Sequence, residues 1–103
     1  MVMELTTDHE RPEPIAIPEE VRDLLAAPNV VHLSTLRADG SPRNHVVWVG
    51  LEGEHVLVCT RNEQGWKARD MRRDPRVGLS VVDLANPYRM AALQGRVVEV
   101  RDD

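Results

Sequence analysis

The sequence predicts a mainly β fold, a small antiparallel β-barrel with flanking helices. Five short β-rich runs are bounded by turn residues. Two of the turns, Ala38-Asp39-Gly40-Ser41-Pro42 and Glu52-Gly53-Glu54, are tight enough to join antiparallel neighbours. Two other segments lose the alternation and carry helix-boundary residues instead. Closing such a sheet on itself removes its exposed edges.

The totals bound the rest. A chain of 103 residues is at most one domain. It has 3% aromatic residues and no Phe, so its core must be aliphatic, mostly Val and Leu. A net charge of −4 argues against general nucleic-acid binding, which needs a basic surface. One cysteine excludes an intrachain disulfide and a Cys-rich metal site. No run approaches the ~18 apolar residues of a membrane span, and no apolar signal core stands at the N-terminus. A cytoplasmic location is the expectation.

Residues 1–14 are polar, acidic and proline-bearing, and read as a flexible N-terminal tail, with His9 a solvated tail residue. The segment Ile15 to Pro28 holds the first helix. Pro18 suits an early helical position, Glu19 and Glu20 suit the positive end of the dipole, and Val21, Leu24 and Leu25 form an apolar stripe. Val30 to Leu36 is the first strand, and Arg43 to Leu51 returns antiparallel to it. Val46 to Val49 is apolar on both faces, which calls for a second cover, and a subunit interface is the first choice. His55 to Thr60 makes a third strand. A second helix follows and ends at Asp74, since the residue before Pro75 avoids helical geometry. Arg76 to Leu84 and Tyr88 to Arg101 are the last strands, with Gly95 marking a bulge or bend.

No nucleophile–base pair is legible. Cys59 lies within an apolar strand and reads as a buried thiol. His32, His45 and His55 sit on strands without a metal-ligand spacing; His45 lies in the polar start of its strand, Arg43-Asn44-His45. The remaining candidate is Thr60 to Pro75, which holds five of the thirteen basic residues. Asn62 suits an N-cap. Free backbone N–H groups and the dipole at a helix start favour an anion, with the Thr60 hydroxyl and the Lys67 point charge beside them. Spacing equally allows a solvated face in which Lys67, Arg69, Arg72 and Arg73 pair with Asp70 and Asp74.

Several motifs occur together in order. Val31 to Pro42 resembles the first hairpin of the pyridoxamine-5′-phosphate-oxidase-like family. Lys67-Ala68-Arg69-Asp70-Met71-Arg72-Arg73-Asp74-Pro75-Arg76-Val77 resembles its K-x-R-N-L-R-R-D-P-R-V signature. Asn86-Pro87-Tyr88 and Gln94-Gly95-Arg96-Val97 resemble its following loop and E-G-R-V strand. The resemblance covers roughly residues 15–101 and implies a split β-barrel of the FMN-binding-like kind over 15–103. Relatives run on for several dozen residues, so a chain ending at Asp103 implies a domain truncated at the C-terminus and an incomplete barrel.

The family divides by cofactor. Its FMN oxidases carry R-x-x-x-L-K on the second strand; here Arg43 matches, but Val47 and Trp48 replace the Leu and Lys. They also carry S-R-K before the helix, where this chain has Gly65-Trp66-Lys67. The sequence is more similar to the branch using the deazaflavin coenzyme F420. That similarity implies an oxidoreductase transferring a hydride between F420 and a small organic substrate, with the coenzyme at a homodimer interface. By position it implicates Arg43, Asn44, His45, Val46 and Val47 along the ring and chain. It places Thr60, Arg61, Trp66 and Lys67 at the phosphate, and Pro87, Tyr88 and Arg89 in the loop before the last strand. Arg69, Arg72 and Arg73 would meet the acidic glutamyl tail. The alternatives are an FMN oxidase or reductase on the same fold, and a non-catalytic binder of flavin, deazaflavin or haem.

Overall fold

The structure, a computed structural model, describes residues 1–7, 13–59 and 66–99; the side chains at 66–68 are outside that description. In chain order the elements are β1 (Val2–Leu5), α1 (Glu19–Ala26), β2 (Val31–Leu36), β3 (Pro42–Glu52), β4 (His55–Cys59), α2 (Trp66–Arg73), β5 (Arg76–Val82) and β6 (Met90–Glu99). The strands close into a barrel in the order β1-β4-β3-β2-β5-β6, every neighbouring pair antiparallel.

The hairpin β2–β3 forms as its turn residues require. Gly40 takes φ +87°, a left-handed conformation that costs glycine little. Asp39 accepts from the Ser41 backbone N–H at 2.9 Å and from its hydroxyl at 2.6 Å. Alternation then sets the faces. Val31, Leu33 and Thr35 point inward opposite Val47, His45 and Arg43, while His32 and Ser34 point outward opposite Val46 and Asn44. The interior is filled by Met3, Leu5, Leu33, Val56, Val58, Leu79 and Val81, an aliphatic core.

The helices close opposite ends. α1 buries Leu24 and Leu25 at the end where β3 turns into β4. Glu54 there accepts from the Ile17 N–H at 2.6 Å and from Arg22 at 2.9 Å. Buried Asn29 ties that helix to the exit of β5, donating to the Leu24 carbonyl and accepting from the Leu84 N–H, both at 3.0 Å. α2 lies at the β2–β3 hairpin end, with Met71 buried. It stops where expected: the Asp74 N–H donates to Asp70 O, and Pro75 follows.

Several sequence expectations need correction. The described part of the supposed tail is a barrel strand. β1 pairs with β4 and β6, and Val2, Met3 and Leu5 are almost wholly buried. The same strand closes the barrel that was expected to be incomplete. Cys59 is exposed rather than buried, because it pairs with the outward-facing Trp48. Gly95 is not the bulge. The register shift falls where Val2 pairs with Glu99 and Met3 with Val97, leaving Val98 as the extra residue. Gly95 instead admits β1, since a Cβ there would overlap the Glu4 carbonyl oxygen. His9 and Asn62 lie outside the described residues.

Candidate functional site

The α2 end of the barrel carries a compact polar network. Asp70 faces inward from α2 and is 1% exposed. Its Oδ2 accepts from Thr35 Oγ1 at 2.8 Å and from Arg43 Nε at 2.7 Å, and its Oδ1 accepts from Arg73 Nη2 at 3.0 Å. Arg73 also donates to the Leu36 carbonyl at 2.7 Å. His45 Nε2 lies 3.3 Å from Thr35 Oγ1. The single Thr35 hydroxyl hydrogen is directed at Asp70, so Nε2 is the donor in that contact. Burial pushes the Asp70 carboxyl pKa up, but the hydrogen bonds from Arg43, Thr35 and Arg73 outweigh it and hold it below the ordinary 3.8.

Above this network opens a cleft of about 470 Å³ lined by Arg37, Asp39, Arg43, Arg69, Asp70 and Arg73. Among the described residues that line it, four guanidiniums stand against two carboxylates, on a chain whose net charge is −4. Arg72 is exposed and does not line it. The solvated-face reading of the sequence therefore fails for Asp70, which is buried, although its pairing with the exposed Arg73 is one that reading named.

The outer face of the barrel is the second feature. Val46 and Trp48 on β3 and Met90 on β6 are each 67% exposed. The register aligns Val46, His32, Ser80 and Ala92 in one row across β3, β2, β5 and β6. Trp48 and Met90 flank that row on the same face, beside Cys59. β3 is thus apolar on both sides, as its sequence implied.

The residues implicated from sequence do not share one surface. Along β3, Arg43, His45 and Val47 face inward, whereas Asn44 and Val46 face outward. Trp66 and Lys67 begin α2, with side chains outside the described residues, as are Thr60 and Arg61. Pro87, Tyr88 and Arg89 form a turn at the far end. From Thr35 to Val31, and on through paired Val81 to Val82 beside Met90, is five residue steps, roughly 17 Å. Asp83 organises this turn, accepting from the Ala85 and Asn86 N–H groups at 2.9 and 3.3 Å and from Arg89 Nη1 at 3.1 Å. Tyr88 is left 94% exposed.

Sequence reasoning missed Asp70, Thr35 and Arg37. The hairpin register was the available clue, since the Asp39-Gly40 turn places Thr35 opposite Arg43. Among the described residues no group of three or more His, Cys, Asp and Glu could hold a metal, and no helix is long and apolar enough to cross a membrane.

A six-stranded antiparallel barrel with a helix over each end and a basic cleft beside α2 is the architecture of a split β-barrel. A family model described as pyridoxamine 5′-phosphate oxidase matches residues 17–103. The chain belongs to that family. A solved structure of a protein named F420 reductase superposes with a TM-score of 0.71 and is 34% identical in sequence. The match covers 81% of this chain and 65% of that one, so this chain spans about two thirds of that protein's length. Among curated proteins, none matches.

Proposed function

We propose that the protein is an F420-dependent oxidoreductase acting on a small organic molecule. The observation that carries this reading is the similarity to the F420 reductase over most of this chain. The residues present fit such a coenzyme. The cleft offers a positive surplus for an anionic portion, and the outward apolar stretch of β3 offers a flat surface for a ring system. The deazaflavin supplies the hydride chemistry when bound.

The chain's own residues then bind and orient. Lys67 at the start of α2, with Thr60 and the helix N-terminus, anchors the phosphate. Asn44 and Val46 meet the ring from β3, and Arg43 reaches the chain from the hairpin end. Arg69 and Arg73, with Arg72 outside the cleft, meet the acidic tail. The turn at Pro87, Tyr88 and Arg89 lies roughly 17 Å along the barrel from Thr35. It fits a homodimer in which the apolar outer faces meet and each site draws on both copies.

An FMN oxidase or reductase is the second reading, on the strength of the family itself. Trp48 opposes it, because an outward indole stands where that group of enzymes carries a lysine. Fluorescence titration with F420 and with FMN tests the two. F420 binding with weak FMN binding is the expected result; tight FMN binding without F420 binding overturns the proposal. Enzyme-dependent oxidation of reduced F420 then separates an enzyme from a carrier.

A further inference from the structure

Asp70 is the one charged residue in the buried class among the described residues. A carboxylate is kept in such a place only when it is paired and hydrogen-bonded. This one is held by two guanidiniums from different elements, Arg43 on β3 and Arg73 on α2, and by the Thr35 hydroxyl on β2. One negative charge between two positive ones does more than pin a helix. It holds two like-charged groups on one side of a cleft whose other basic walls are Arg37 and Arg69. The bond to Arg43 runs through Nε, which fixes the plane and the approach of the guanidinium rather than only its charge.

We propose that Asp70 is a positioning residue for the site: it orients Arg43 toward the anionic ligand of the cleft. This rests on the reading that Arg43 contacts the coenzyme. An amide at position 70 would keep the shape and the Thr35 contact. It would lose the charge that holds Arg43 and Arg73 in place together.

The experiment is a double-mutant cycle read as F420 affinity, using Asp70→Asn, Arg43→Gln and the pair. If Asp70 acts through Arg43, Asp70→Asn weakens binding roughly tenfold in the parent. It then changes binding clearly less once Arg43 is Gln, the remainder acting through Arg73. Equal weakening in both backgrounds overturns the proposal and leaves Asp70 a purely structural group, as does no weakening in either. A measurement on the unmodified protein needs neither ligand nor variant stability. The Arg43 Nε–H should exchange with solvent far more slowly than those of exposed arginines, and an Arg43 Nε–H that exchanges as fast as theirs overturns the proposal. Protein that binds no F420 at all removes the coenzyme reading instead, and the Nε–H exchange then decides alone whether Asp70 holds Arg43.

Discussion

Asp70 also ties the stability of the fold to pH. Its folded-state pKa lies below the ordinary 3.8, where burial is outweighed by Arg43, Thr35 and Arg73. A depressed carboxylate pKa contributes stability that is complete above the unfolded value and is lost as pH falls through the folded value. The contribution is therefore intact at neutral pH and declines below about pH 4. His45 stands one hydroxyl away, and Arg37, Asp39 and Arg69 line the same cleft. Asp39 and Asp74 have lowered pKa values too, from the Ser41 and Arg76 hydrogen bonds, so acid weakens more than one contact. Comparison with Asp70→Asn isolates this one. Breaking a buried pair costs about 3 kcal/mol. Urea unfolding should show a gap of that order at pH 7 that narrows toward pH 3; a gap constant with pH would contradict the account.

At the scale of elements, β1 and Gly95 depend on each other. β1 lies between β4 and β6, and it can seat only because β6 has no side chain at 95. Gly95→Ala would force the Glu4 carbonyl and Met3 away. It should destabilise by about 1–3 kcal/mol, the usual cost of overpacking, with amide exchange rising first along Val2–Leu5. The Glu4–Arg96 cross-strand ion pair, whose arginine is half-exposed, offsets little of that.

This is also where sequence reading ran out. The β2–β3 hairpin and α1 were legible because alternation, the Asp-Gly turn and the 3.6 period are local. β1 was not, because it has four residues, is buried on both sides and so does not alternate. Its partners are also distant in the chain, Leu57 and Glu99 opposite Val2. Asp70 failed for the same reason. Locally it looks like an i,i+3 partner of Arg73 on a charged face. Its burial comes from Thr35 and Arg43, 35 and 27 residues away. The order of the family motifs survived because it depends on residue identity and not on contacts.

At the scale of the molecule, the unexplained surface is the outer face around Val46, Trp48 and Met90. Large apolar side chains grouped this way on one sheet mark a contact surface more often than chance exposure does. In the proposed dimer they meet their copies across a twofold axis, where residue i contacts j and j contacts i. Trp48→Asp would place two carboxylates in that contact while leaving the barrel interior untouched. Sedimentation should show a dimer for the parent and a monomer for the variant, with unchanged circular dichroism. A monomeric parent would contradict the two-chain site.

The central claim is that the start of α2 anchors the phosphate of F420, and one comparison tests it most directly: fluorescence titration of F420 into the parent and into Lys67→Ala, under identical conditions, with unfolding of both checked in parallel. The account predicts saturable binding to the parent and, for a variant of unchanged stability, a loss of at least roughly tenfold in affinity, the effect of removing a charge-assisted contact to phosphate. Equal affinity in the two proteins would contradict it.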